Sequence, residues 1–218
     1  ILNAAFKAAE IDGGKRDLNF EHVKVVSAPG GSLRDSYVID GVVLDKKGLD
    51  PNMPKRIENA KIALLSVPIE INRAKLIKRN AKAVINSPKD IRELINQRNE
   101  VIRNAAEKIV SAGANVVISS EKIDDLVLGY FAKNNVMAIR WARKLDLRRI
   151  SKATGAKIIS KPEEITPDDL GFAEYVEERK LGKDKAIFVK CSSNTKVATI
   201  VVRGASRLIA EEAERLVR

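Results

Sequence analysis

Three pairs of adjacent carboxylates, Asp124-Asp125, Glu163-Glu164 and Asp168-Asp169, are the first places where this 218-residue chain could do acid/base work. Each lies where a helix is expected to start, and there an acidic side chain favours the helix dipole. Capping or simple solvation therefore competes directly with catalysis. His22 could serve as a general base, but no neighbouring Ser or Cys carries a supporting signal. Gly13-Gly14-Lys15 and Gly182-Lys183 hold a glycine and a lysine, yet neither has spaced glycines ahead of a helix with lysine and hydroxyl in register, which a phosphate loop requires. A single His22 and a single Cys191 cannot build a Cys/His zinc site or an intramolecular disulfide framework, and the lone cysteine suits a reducing compartment. Trp141, between Arg140 and Arg143, reads either as a stacking platform with basic neighbours or as a core or partly buried anchor. No catalytic constellation emerges.

Charge is the next clue. The net charge is +11, and it is concentrated. Asn72 to Val110 holds ten Lys or Arg against four acids, and Arg140 to Lys157 holds seven against Asp146 alone. Such patches favour anionic partners, either acidic protein segments or nucleic acid. Hydrophobic content of 44% beside 32% charged residues is ordinary for a folded chain of one or two domains. No apolar run approaches the ~20 residues of a membrane-spanning helix. The chain starts without Met, inside an apolar-periodic stretch (Leu2, Ala5, Phe6, Ala9), and reads as a piece of something longer.

The elements that must position these residues follow from local signals. Ile1–Ile11 reads as the end of a helix stopped by Asp12-Gly13-Gly14. Strands are expected at His22–Ser27 and Ser36–Leu44, separated by the breaker Pro29-Gly30-Gly31. Ala60–Val67, apolar and bounded by Pro54 and Pro68, reads as a buried strand. After the basic segment Pro68–Asn86, Ser87-Pro88-Lys89-Asp90 supplies an N-cap, a proline at the first helical position and an acid in the first turn, and Gly113 supplies the stop. That helix would be a rod of about 35 Å. Its apolar positions divide into Val101, Ile102, Ala105, Ile109 and Val110 near one end and Ile91, Leu94 and Ile95 near the other. Strand and helix then alternate: Asn115–Ser119, Ile123–Lys133, Val136–Ile139, Asp146–Thr154 with Gly155 as its stop, and Lys157–Ser160. The alternation predicts parallel βαβ units. Thr166-Pro167-Asp168-Asp169 predicts a short capped helix, Glu177–Asp184 a charged connector, and Ala186–Val189 and Lys196–Val202 a strand pair. Leu208–Val217 predicts a closing amphipathic helix.

Met53-Pro-Lys-Arg-Ile-Glu-Asn-Ala-Lys-Ile-Ala-Leu-Leu65 resembles the signature near the start of the apical domain in group II chaperonins, the family of the archaeal thermosome and the eukaryotic cytosolic chaperonin. Gly30-Gly-Ser32, Gly41-Val-Val-Leu-Asp45, Gly113-Ala-Asn-Val-Val-Ile118, Ala153-Thr-Gly155, Asp169-Leu-Gly171, Glu177-Glu-Arg-Lys180 and Thr199-Ile-Val-Val-Arg-Gly204 fall in the same family order and spacing. The resemblance spans nearly the whole chain. It implies an α/β fold: an apical-domain-like sheet flanked by helices with a long helical protrusion, plus a small α/β intermediate-domain portion. The implied domains are residues 1–35 and 181–218 as two intermediate-domain segments around an apical domain at 36–180, with the protrusion at about 76–101.

The family hydrolyses ATP with Mg in an equatorial domain built from flanking sequence, and its glycine-rich nucleotide loop is absent from this chain. A catalytic aspartate follows the Glu-Arg of the last intermediate-domain helix in that family. Glu214-Arg215-Leu-Val-Arg218 approaches it and stops short. The resemblance thus implies a client-holding and lid-forming part of an ATP-dependent chaperonin, with no catalytic residue, cofactor or metal ligand of its own. Implied partners are non-native polypeptides, other chaperonin subunits in a double ring and prefoldin, in the cytoplasm.

Clients would be held by the protrusion and by a face made of Ile123–Asn134, Asp146–Thr154 and Pro68–Lys75. The implied binding residues are Ile91, Leu94 and Ile95 on the protrusion and Arg148, Arg149 and Lys152 on the second helix. Ordinary packing against Pro68–Asn86 and a merely solvated face stand as the respective alternatives. Gly30 and Gly31 read as a plain turn or, by the resemblance, as the hinge between intermediate and apical parts. The family's protrusion is commonly rich in glutamate, whereas Asn72–Val110 is basic, which suggests a specialised subunit among more acidic neighbours in a mixed ring. The rival reading is a free-standing basic α/β module that binds RNA, with steep salt dependence as its mark.

Overall fold

In chain order the strands are β1 (Ala9–Asp12), β2 (Lys15–Leu18), β3 (Val23–Pro29), β4 (Tyr37–Leu44), β5 (Arg56–Leu65), β6 (Val116–Ser119), β7 (Met137–Ile139), β8 (Ile158–Ile159), β9 (Gly171–Leu181), β10 (Asp184–Lys190) and β11 (Ala198–Gly204). The helices are α1 (Pro88–Ser111), α2 (Asp125–Lys133), α3 (Lys144–Thr154) and α4 (Arg207–Val217). The computed structural model describes residues 4, 9–12, 15–18, 20–45, 50–70, 88–192 and 195–217, with side chains for all of these except 9–12, 15–18, 20, 88–95, 97 and 98.

The expected α/β architecture is present. β1 and β2 pair as a separate antiparallel ribbon, and the other nine strands form one sheet along the path β3-β11-β4-β10-β9-β5-β6-β7, with β8 beside β5. The alternation read after Gly113 holds: β5, β6 and β7 pair in parallel, β8 pairs in parallel with β5, and a helix connects each to the next. Side-chain alternation along these buried strands feeds two cores. On one face Ile62, Leu64, Val116, Ile118, Met137 and Ile139 meet Leu147 and Ile150 of α3. On the other, Ala63, Leu65 and Val117 meet Ile102, Ala105, Ala106 and Ile109 of α1 and Val127, Leu128 and Phe131 of α2. The antiparallel half has its own core around Val43, Phe188 and Val201, and α4 closes the last one over Ala198, Ile200 and Val202.

Several local readings are corrected. Ala9–Asp12 is a strand rather than helix, because its backbone finds Lys15–Leu18 in antiparallel register. β5 begins at Arg56, so the charged stretch before Ala60 belongs to the strand, its outer side chains exposed while it pairs with β9. Glu177–Asp184 is no connector: it holds the end of β9, the turn through Gly182 (φ +68) and the start of β10. Its charges are accommodated by pairing, Lys185 with Glu178 at 3.1 Å, and by the Arg179 guanidinium 4.4 Å over the Phe188 ring. β10 and β11 do not pair with each other, since β4 lies between them. The capped turn after Thr166 is a single 3-10 turn, Pro167–Asp169.

Candidate functional site

The carboxylate pairs serve as local caps and partners. Asp124 caps α2 by accepting from the Leu126 backbone N–H at 3.1 Å, and Asp125 pairs with Arg140 at 3.1 Å. Asp169 accepts from the Thr166 hydroxyl at 2.6 Å and lies 2.8 Å from Lys157; Lys157 and the Thr166 groups hold its carboxyl down at about 2. Glu164 pairs with Lys161 at 2.8 Å. Burial pushes the Cys191 thiol up to about 12, so it is inert. His22 lies half-buried in the 3-10 turn Phe20–His22 with its Nδ1 unpartnered. Among the described residues no cluster of His, Cys, Asp or Glu could hold a metal ion, and no helix is long and apolar enough to cross a membrane.

α3 carries three of the residues expected to bind clients, Arg148, Arg149 and Lys152. Its apolar residues Leu147 and Ile150 sit in the core, and Gly155 ends it in the left-handed conformation (φ 78), as Thr154-Gly155 suggested. Rotation about the helix sends the three basic residues predicted for binding in different directions. Arg148 and Lys152 are exposed. Arg149 turns inward: its Nε donates to the Glu21 carbonyl at 2.6 Å, a terminal nitrogen donates to the Val23 carbonyl at 3.5 Å, and another lies 3.1 Å from Asp146. Ile91, Leu94 and Ile95 fall on the helical backbone of α1, but their side chains lie outside the described residues, as does the segment 71–87 with most of the predicted protrusion base and loop.

The sequence reading of this face missed Leu145, and it left Trp141 undecided. Leu145, in the first turn of α3, is 47% exposed, and Trp141 just ahead of the helix is 50% exposed with φ +61. Leu145, Arg148 and Lys152 follow at helical spacing on one side of α3, and Trp141 leads into them. An i, i+3, i+7 count from Leu145 could have found the stripe; the exposure of Trp141 left no local signal.

A second constellation ties α3 to the other half of the sheet. Lys24 on β3 donates to Asp146 on α3 at 2.7 Å, both side chains almost fully buried. Burial outweighs the pull of Asp146 and lowers the pKa of Lys24 below its ordinary value. With the Arg149 contacts to Glu21 and Val23, this makes a charged joint between α3 and the start of β3.

β4 is the shared strand. Tyr37–Asp40 pair with β11 and Gly41–Leu44 pair with β10, so the strand changes partner at Gly41. Gly41 has φ +135, and a Cβ there would run into the Val189 carbonyl oxygen. The Thr199 hydroxyl fills the gap in the ladder by donating to the Gly41 carbonyl at 2.7 Å and accepting from the Val43 N–H at 3.3 Å. Gly30 and Gly31, the predicted hinge, also have positive φ (92 and 115). Gly30 donates to the Gly204 carbonyl at 2.8 Å and accepts from Arg203, so that turn is fastened to the end of β11.

The TCP-1/cpn60 chaperonin family matches over residues 1–218. Thermosome subunit beta of Sulfurisphaera tokodaii is 38% identical over 218 residues, covering 100% of this chain and 39% of that protein. Thermosome subunit beta of Archaeoglobus fulgidus is 40% identical over 214 residues, 98% of this chain and 39% of that protein. The fold is similar to an open-state monomer of a group II chaperonin from Methanococcoides burtonii, with a TM-score of 0.74 and 34% identity over 98% of this chain and 47% of that chain. The chain thus spans about two-fifths of the length of these curated relatives.

Proposed function

This chain belongs to the TCP-1/cpn60 chaperonin family, and on that premise we propose that it is the substrate-binding and lid-forming part of an ATP-dependent group II chaperonin that encloses and folds non-native proteins. The observation that carries the binding role is the exposed side of α3, where Leu145 and Arg148 lie one turn apart, with exposed Trp141 just ahead of the helix. Apolar groups bare to solvent among cations suit unfolded segments, whose contacts are individually weak and tolerant of sequence. Arg148 and Lys152 contribute from the solvent side. Arg149 acts from behind, as the tie between α3 and β3.

Residues 36–180 form the apical domain with a protrusion at about 76–101 bearing Ile91, Leu94 and Ile95, and 1–35 with 181–218 form the intermediate portion. β4, at the start of the 36–180 range, pairs with β10 and β11 of the 181–218 segment, and Gly30 and Gly31 just ahead of it are the hinge. Catalysis needs ATP and Mg held by an equatorial part outside these 218 residues, so this chain binds without turnover. Other subunits in a double ring, mixed with more acidic neighbours, and prefoldin are the partners, in the cytoplasm.

The test is light scattering from a chemically denatured client diluted into the chain. Suppressed aggregation at a salt concentration that abolishes RNA binding is the expected result. Scattering unchanged at a stoichiometric excess of chain would refute the reading.

A further inference from the structure

We propose that Trp141 and Leu145, with the exposed Arg143, Lys144 and Arg148 of the same stretch, form a docking spot for extended peptide segments in which an aromatic or aliphatic side chain is flanked by Asp or Glu. The proposal rests on the polypeptide-binding reading and adds the class of segment selected.

Trp141 is the first argument. Its backbone is left-handed (φ +61), a conformation that costs a bulky residue roughly 1 kcal/mol or more. The neighbours impose it. Ala142 is buried and its N–H donates to the Ser119 carbonyl at 2.9 Å, while the Trp141 N–H donates to the Glu121 carbonyl at 3.4 Å. The loop is therefore pinned at Ala142, and the largest aromatic ring in the chain is left half in water. Leu145 repeats the pattern at the start of α3, exposed while Leu147 two residues on is buried. Tryptophan is the side chain most often found to dominate binding energy when a partner covers it.

Charge selects the partner. Asp146 is the one acid between Arg140 and Lys157, and it is buried against Lys24 and Arg149. Arg140 is paired with Asp125. Arg143, Lys144 and Arg148 are exposed, and among the described residues none of them has an ion-pair partner. Arg143 and Lys144 also stand where the helix begins, the end at which a cation is disfavoured by the dipole, and Arg143 makes no side-chain cap. Asp146 is the one acid in that first turn, and it is taken up by Lys24 and Arg149, so the two exposed cations ahead of it leave room for a negative group supplied from outside. Exposed apolar anchors in a stretch whose exposed charges are all positive match a segment with an apolar centre and acidic flanks, and they reject a basic one by like-charge repulsion.

The chain's one tryptophan is Trp141, so its emission reports on this spot directly. Three labelled extended peptides of about a dozen residues are compared by anisotropy and by Trp emission: leucine and phenylalanine flanked by glutamate, the same with lysine for glutamate, and the same with serine for the apolar residues. The acidic-apolar peptide is expected to bind saturably with a blue shift of Trp141 emission, at least tenfold more tightly than either control. Leu145→Ser and Arg148→Glu, both at exposed positions, are each expected to weaken it at least tenfold, and Trp141→Ala to abolish saturable binding seen by anisotropy.

Equal affinity for the lysine peptide, or binding that leaves Trp emission unmoved, overturns the proposal. So does displacement of the peptide by oligouridylate of equal length, which would assign the spot to RNA, or a concentration-dependent shift without peptide, which would assign it to a second copy. Client aggregation measured on the same Arg148→Glu variant separates the two readings. Unimpaired suppression sinks this site alone, whereas a wild-type chain that never suppresses sinks the polypeptide-binding reading.

Discussion

Replacing Lys24 by methionine probes the joint between β3 and α3. In the native chain the ammonium lies 2.7 Å from Asp146, with side-chain exposures of 7% and 5%. Methionine fills similar volume but leaves the Asp146 carboxylate buried without its closest counter-charge. Removing one partner from a buried pair costs about 3–5 kcal/mol. Arg149 remains 3.1 Å from Asp146, so the lower end of that range, about 3 kcal/mol, is expected. In a chain of this size that lowers Tm by roughly 6–12 °C.

The pair itself is expected to contribute little net stability, because burial depresses the Lys24 pKa in spite of Asp146. Lys24→Met combined with Asp146→Leu should therefore lie within about 1 kcal/mol of wild type, a coupling of at least 2 kcal/mol in the double-mutant cycle. The pH dependence follows. The folded chain releases the Lys24 proton at a lower pH than the unfolded chain, whose lysine titrates near 10.5, so the unfolded state binds more protons in between. Across that window, wild-type stability should rise with pH relative to the double variant. Urea unfolding followed by Trp141 emission and far-ultraviolet dichroism measures all three quantities. Additive losses from the two single variants, or a double variant as weak as the worse single, would refute the joint.

Gly41→Ala should destabilise by at least about 2 kcal/mol, since it combines positive φ with a collision against the Val189 carbonyl; a loss below half of that in urea unfolding would show that β4 can shift at this point. Asp169 titrates at about 2 in the fold against 3.8 ordinarily, so its contribution is present above 3.8 and is lost as pH falls through about 2. Asp169→Asn should remove that part of the acid slope, which thermal melts between pH 2 and 4 would detect. Cys191, with its thiol at about 12, should resist iodoacetamide at pH 8 for hours and react within minutes once unfolded; mass spectrometry showing prompt native labelling would contradict its burial.

The elements legible in the sequence were those with a local cause. Pro88 and Asp90 mark the start of α1, Gly113 and Gly155 follow the ends of α1 and α3, and apolar runs between breakers became β5, β6 and β7. Pairing was not legible. Glu177–Asp184 looks like a connector because its charges are satisfied by residues on the neighbouring strand, and Ala9–Asp12 looks helical until Lys15–Leu18 folds back on it. Ala186–Val189 and Lys196–Val202 were correctly read as strands and wrongly read as mates, because β4, far earlier in the chain, lies between them.

The sequence by itself determined the alternation of strands and helices, the two basic concentrations and the family, because each is written in residue types at short range or in motif order. Only the tertiary structure decided which of Arg148 and Arg149 faces water. Successive helical residues point about 100° apart, and what lies behind α3 is a strand from the far end of the chain. The same packing brings Lys24 to Asp146 across a separation of 122 residues, splits β4 between two partners at Gly41, and leaves Trp141 outside the core. Contacts between residues so distant in sequence leave no periodic trace, so they exist only once the chain has closed on itself.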